Sequence, residues 1–324
     1  MLKGLRAAVA LAGFALATIA CGTAESQAQA GRPAPAAPAV ATPPAAQAGA
    51  APTFDSTRAF EHLRRQVAFG PRPAGSTALA DCRRYITDQL KAIGLTPREQ
   101  SFDAETPTGR IRMVNVSATI PGRRAERIVL ATHYDTKLFR DIRFVGATDG
   151  ASSTAAVLEL GRALAGRARE YTIELLFLDG EEAVVEWAGT DHTYGSRYYV
   201  AEAQRAGTLS SIKALVLLDM IGDRNLDIRR DSYSTPWLVD LVWDAAARVG
   251  HRATFVNELT TIEDDHLAFV RAGVPSVDII DLNDPTWHTA NDTLDHVSAR
   301  SLQIVGDVVL AALPDLERRL AAQP

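Results

Sequence analysis

The chain has 324 residues, 47% of them hydrophobic, with a formal net charge of −5. A net acidic chain argues against a nucleic-acid partner, and the length suffices for one large or two ordinary domains. No apolar run approaches the roughly 20 residues of a membrane-spanning helix.

Lys3 and Arg6 give a basic start, followed by an apolar stretch over residues 7–20 that ends at Ile19-Ala20-Cys21-Gly22. This pattern reads as a signal peptide over residues 1–20. Small residues ahead of Cys21 resemble a bacterial lipoprotein processing site, with Thr18 where Leu is usual. Residues 21–52 are rich in Ala, Pro, Gln and Gly and nearly devoid of large side chains. Such a segment cannot bury enough apolar area to offset its ordering entropy, so a disordered tether is expected. The expected location is outside the cytoplasm: periplasmic, secreted, or membrane-associated through a lipidated Cys21. Only Cys21 and Cys82 are present, so no disulfide framework is available. Cys82 falls in a helical pattern and is expected as a small buried hydrophobe.

A folded catalytic domain is expected over residues 53–324. Residues 56–69 read as a helix, with Phe60, Leu63, Val67 and Ala68 at helical spacing and Gly70-Pro71-Arg72-Pro73 ending it. Ser76 caps a second helix carrying Leu79, Tyr85, Ile86, Leu90 and Ile93, and Gly94 stops it. The period then changes. Residues 110–120 are rich in Val, Ile and Thr, and Pro121-Gly122 makes a turn. Residues 127–133, 171–178, 212–218 and 274–280 are short continuous apolar runs, which fit strands covered on both faces. Helical patterns separate them at 151–164, 235–249, 265–272 and 298–320. The alternation predicts a three-layer α/β/α sandwich around a mixed, mostly parallel sheet.

This order puts chemistry at strand ends. His133 and Asp135 follow one strand, Glu181 and Glu182 another, and Asp219 ends a third. Asp149 stands before a helix, and His288 follows the last strand and its loop. Open α/β sheets bind ligands beyond the carboxyl ends of their strands. Asp149, the Glu181-Glu182 pair and His288 are ligand types that a catalytic zinc prefers, and three protein ligands leave a position open for substrate. Each alone has a plain reading: Asp149 as a helix cap, Glu181-Glu182 as a surface pair, Glu263-Asp264-Asp265-His266 as a solvated loop, His133 as a structural residue. Together, in this order, they point to a metal site, with His133 open as a further ligand. No GxSxG, Walker, GxGxxG or HExxH pattern competes.

Several stretches carry a family resemblance: HYDTKLF from His133, FVGATDG from Phe144, FLDGEEAVVEW from Phe177, YGSR from Tyr194, LLDMIGD from Leu217, IEDDH from Ile262, and Trp287-His288-Thr289. They resemble the M28 clan of zinc exopeptidases and, within it, the glutaminyl-peptide cyclotransferases, over residues 56–320. The resemblance implies that Asp149, Glu182 and His288 hold one zinc ion. It makes Glu181 the acid/base, with Asp219 and Asp264 as a hydrogen-bonded acidic network behind it. Trp187 and Trp287 would wall the substrate pocket, with Lys137, Phe139, Ile262 and Glu263 nearby. His133, Asp135, Asp265 and His266 would surround the site without binding metal. A disulfide found in animal members would join the positions of Thr132 and Thr154, so it is missing. Gly150 stands where Ser is common, and the loop before Trp287 is about one residue short.

The implied reaction converts an N-terminal glutamine of a peptide or protein to pyroglutamate with release of ammonia, performed by a monomer. The alternative is a zinc aminopeptidase of the same fold, with two metals and His133, Asp149 and Asp219 in the second site. Hydrolysis needs an activated water. Cyclisation does not, because the amine is tethered to the amide it attacks, an advantage on the order of several kcal/mol. Aminopeptidases of the clan usually carry small residues after the paired glutamates. Here the sequence is AVVEW, and Trp187 narrows the pocket.

Overall fold

A computed structural model describes residues 51–322, so the expected signal peptide, Cys21 and residues 21–50 of the expected tether lie outside the described residues. The described chain opens with two helices. α1 (Ser56–Val67) is capped by Asp55, which accepts from the Arg58 N–H, and α2 (Thr77–Ala92) by Ser76, which accepts from the Leu79 N–H. β1 (Arg98–Thr106) and β2 (Gly109–Ile120) form an antiparallel hairpin, followed by β3 (Arg124–His133). β1 was not expected. It buries little beyond Phe102 and Ala104, because it is an edge strand.

The remaining elements follow, alternating except where β6 succeeds β5: α3 (Ala151–Leu164), β4 (Tyr171–Leu178), α4 (Tyr194–Arg205), β5 (Ile212–Asp219), β6 (Ile228–Asp231), α5 (Pro236–Arg248), β7 (Phe255–Thr260), α6 (His266–Arg271), β8 (Ser276–Ile280) and α7 (Ala299–Ala321). Six strands make one sheet in the order β1-β2-β4-β3-β5-β8, with β6 and β7 forming a separate parallel pair. β2 meets β4 antiparallel, whereas β4, β3, β5 and β8 run parallel. The expected mixed, mostly parallel sheet is therefore present.

The continuous apolar runs have a direct cause in this layering. On β3, Ile128 and Leu130 pack into the larger core, while Val129 and Ala131 pack into the opposite one. Ala214, Val216 and Leu218 of β5 face the first core, and Leu215 and Leu217 the second. Successive strand residues point to opposite faces, so a strand covered on both sides is apolar at every position. Helices α1, α2, α3, α5 and α7 supply the first core, which includes the fully buried Cys82, and α4 and α6 supply the second. Among the described residues no helix is long and apolar enough to cross a membrane.

Because β3, β4, β5 and β8 are parallel, their carboxyl ends share one edge. His133 ends β3, the Glu181-Glu182 turn follows β4, Asp219 ends β5, and the loop carrying His288 follows β8. Sheet topology therefore gathers residues far apart in the chain.

Candidate metal centre and pocket

The loop between β3 and α3 places Asp149. Gly146 turns there with φ 52°, where an added Cβ would lie 2.3 Å from the Asp149 carbonyl oxygen, so only glycine fits. Asp292 accepts from the backbone N–H groups of Thr148 (2.6 Å) and Asp149 (3.1 Å), which fixes the loop from below. The residue capping α3 is Gly150, without a side-chain bond, so the Asp149 carboxylate is not consumed as a helix cap. It lies 3.2 Å from His133 Nε2 through one oxygen and 3.3 Å from His288 Nε2 through the other.

The paired glutamates are set by Asp135, whose two oxygens accept from the N–H groups of Glu181 (3.2 Å) and Glu182 (3.3 Å). Glu182 Oε1 accepts from the Lys137 N–H at 3.0 Å and lies 3.1 Å from His288 Nε2. His288 itself adopts φ 56°, an uncommon left-handed conformation for a side-chain-bearing residue. Phe139 and Phe144 pack edge-on against its imidazole, and Trp287 stacks on it at 4.5 Å. Strain of this kind persists only where the surroundings over-determine the conformation, and it clusters at functional sites.

One donor atom from each of Asp149, Glu182 and His288 falls within 4.8 Å of the others. Burial pushes the Glu182 carboxyl up to about 7, with the Asp149 charge adding to it. Burial would lower His288, yet its bonds to Asp149 and Glu182 lift it to about 10. Burial would likewise raise Asp149, but hydrogen bonds from His133 and His288 hold it below the usual carboxylate range. Two buried carboxylates and one imidazole thus compete for a single positive charge between them. That donor set fits a divalent cation such as zinc.

His133 sits one layer deeper. Its Nε2 is 3.0 Å from Asp219 Oδ1, and its Nδ1 is 3.4 Å from Asp135 and 3.9 Å from Glu181. His133, Asp149 and Asp219 form a second group with metal-ligand proximity, sharing Asp149 with the first. Thr132 and Thr154, at the positions of the absent disulfide, both donate to the His133 carbonyl, at 2.9 and 2.8 Å. The Thr154 bond, together with a second from the Thr132 hydroxyl to the Ser153 hydroxyl at 2.8 Å, ties β3 to α3.

Glu181 is almost fully buried, and burial, followed by the charges of Asp264 and Glu182, raises its pKa well above the ordinary value against the pull of His133. The expected hydrogen bond between Asp219 and Asp264 is not found among the described residues. Asp219 Oδ1 instead faces His133 Nε2 and accepts from the Met220 N–H at 2.8 Å. Asp264 accepts from the Asp265 N–H through one oxygen and leaves the other without a partner. Burial and the Asp219 charge push Asp264 up to about 7, so the two acids communicate by charge. Behind them, His266 lies 3.0 Å from Asp231 and 3.6 Å from Asp278, all of them buried. Sequence reasoning missed Asp278. Its signal was a carboxylate inside the apolar run VPSVDII.

These groups open on a cavity of about 400 Å³, lined by Lys137, Glu181, Trp187, Ile262, Glu263 and Trp287 among others. Met220, Thr261, Ile280 and Leu282 also line it and were not anticipated. Phe139 does not line the cavity; it packs against His288 and Phe144. His133, Asp135, Asp265 and His266 are buried behind the wall.

Residues 115–313 match the family model of peptidase family M28. The chain is 32% identical to a bovine glutaminyl-peptide cyclotransferase-like protein over 253 residues, covering 68% of this chain and 66% of that protein. It is 30% identical to the glutaminyl-peptide cyclotransferase of Drosophila melanogaster over 276 residues, covering 75% and 78%. Its fold superposes on a crystal structure of an Acidobacteriales bacterium glutaminyl cyclase with a TM-score of 0.80 at 42% identity, covering 86% of this chain and all of that one. A leucine aminopeptidase precursor from Bacteroides thetaiotaomicron VPI-5482 shares the fold with a TM-score of 0.76 at 31% identity, covering 82% and 98%. On this evidence the chain belongs to peptidase family M28, in its glutaminyl-peptide cyclotransferase group.

Proposed function

We propose that this protein is a glutaminyl-peptide cyclotransferase, converting N-terminal glutamine of peptides or proteins to pyroglutamate with release of ammonia. The observation that carries the reading is one buried acid, Glu181, beside the Asp149-Glu182-His288 trio in a cavity walled by Trp187 and Trp287. A pocket narrowed by two indoles suits a single side chain better than an extended peptide. Asp149, Glu182 and His288 would hold one zinc, whose Lewis acidity would polarise the γ-carbonyl of the bound glutamine.

The chain's own groups do the rest. The α-nitrogen forms a bond to the side-chain amide carbon, and the bond from that carbon to the amide nitrogen breaks. Glu181 takes the proton lost by the amine and returns it to the departing ammonia. A carboxyl raised by burial is suited to carry a proton both ways near neutral pH. The charges of Asp264, Glu182 and Asp265 keep the Glu181 proton affinity high, and Asp219 acts one step removed, through its charge on Asp264. Asp135 fixes the Glu181 backbone, and His133 fixes Asp219 in the cavity wall.

A zinc aminopeptidase is the second reading. It is favoured by the His133-Asp149-Asp219 group, which shares Asp149 with the first trio as a two-metal site would. The indole walls and the cyclotransferase relatives weigh against it. Ammonia release from glutamine-initiated peptides decides between them. Release of amino acids from peptide amides without ammonia, or two tightly held metal ions per chain, would overturn the first reading. The basic start and apolar residues 7–20 support export, with Cys21 as a lipid anchor. The enzyme is proposed to act as a monomer.

A further inference from the structure

Trp187 stands on an exposed loop, residues 185–190. Its ring partner among the described residues is His192, stacked at 4.2 Å between centroids with the planes only 12° apart. One indole face is therefore covered by imidazole, while the residue also lines the cavity.

The turn that carries His192 is tied to the backbone on the N-terminal side of Trp187. Asp191 accepts from the N–H groups of Val184, Val185 and Glu186, at 3.0, 2.9 and 2.9 Å, and from the Tyr194 hydroxyl at 2.7 Å. Arg197 donates to the carbonyls of Thr190 and His192, at 2.6 and 2.8 Å. Thr193 adopts φ 48°, a strained conformation for a β-branched residue, and its N–H donates to the Glu181 carbonyl at 2.7 Å. The stacked imidazole is thereby linked through one strained residue to the backbone of the proposed acid/base. Burial and the Arg197 charge lower the His192 pKa, against Glu263 and Asp191 and together with Arg271. A neutral imidazole at neutral pH serves as a flat aromatic partner.

We infer that His192 is a positioning residue for substrate: its imidazole holds the Trp187 indole as the wall against which the N-terminal side chain packs. The inference rests on the cyclotransferase reading. It predicts an effect on binding and not on proton transfer, because His192 does not line the cavity.

The test uses the full chain as wild type, His192→Ala and His192→Phe, each with and without Trp187→Phe. In ammonia release from a glutamine-initiated peptide, His192→Ala should raise KM about three- to tenfold, the worth of one aromatic pair. Its kcat should stay within twofold, and His192→Phe should restore KM. Acrylamide quenching of tryptophan fluorescence should increase for one indole in His192→Ala, and not in His192→Phe or in the Trp187→Phe background. An unchanged KM, a fall in kcat at constant KM, failure of phenylalanine to rescue, or unchanged quenching each overturns the inference. A wild-type chain that releases no ammonia sinks the cyclotransferase reading instead, and the quenching comparison still decides where Trp187 is held.

Discussion

Two acid–histidine clusters lie at the same end of the sheet. In the outer one, His288 bridges Asp149 and Glu182 at the wall of the cavity. In the inner one, His266 lies between Asp231 and Asp278 with no exposure at all. The outer acids have backbone donors or histidine nitrogens on their oxygens. In the inner cluster, both oxygens of Asp278 lack hydrogen-bond partners, whereas Asp231 accepts from the N–H groups of Tyr233, Ser234 and Ile262. Residue types are nearly the same, so access makes the difference. An open trio can exchange a cation with solvent, whereas the buried cluster bears on its neighbours through charge.

That contrast can be broken experimentally. The largest effect is expected at Glu181, which stands between the clusters. Glu181→Gln should lower kcat about a thousandfold, the usual scale for a lost general acid/base, while metal analysis shows full occupancy. Near-normal turnover would remove Glu181 from the proton path. His288→Ala should release metal and activity together and lower the melting temperature. His266→Ala should leave metal content unchanged, and metal loss there would erase the distinction between the clusters.

A smaller change is expected at Asp135, which orients both glutamates. Asp135→Asn keeps one acceptor and should weaken metal affinity or kcat/KM by about 10- to 100-fold, as for other supporting groups around metals. The smallest effect concerns stability. Burial, then the Asp264 charge, raises the Asp278 pKa well above the ordinary value. A carboxyl raised in the folded state favours folding below its unfolded pKa of about 3.9 and loses that advantage as pH rises through the folded value. Asp278→Asn should therefore stabilise the protein at pH 8, by about 1 kcal/mol, the common scale of single substitutions. The gap should close as pH falls toward 4. Denaturant titrations at both pH values would show it, and destabilisation at pH 8 would mean that the charged form has a partner there.

Much of this was legible in the chain. The apolar runs of β3, β4, β5 and β8 announce doubly covered strands, and short-range patterns at Ser76 and Gly94 bound α2. The less visible elements lack such signals. α4 begins at strained Thr193 with no side-chain cap, so no capping pattern marks it. β6 and β7 are short and half exposed, and β1 is a polar edge. Asp278 was hidden because a strand run is read for its apolar majority.

The sequence alone determined the ligand types, the strand ends that carry them and the family to which they belong. These are local properties, set by side-chain chemistry and by periods of two and of about four residues. Which histidine meets which acid was decided only in three dimensions. His133 turns to Asp219, 86 positions away, and His288 to Glu182, 106 positions away. No local pattern specifies such pairings, because they arise from parallel strands ending at one edge. The indole held by His192 was settled the same way, by a turn that folds the chain back on Glu181.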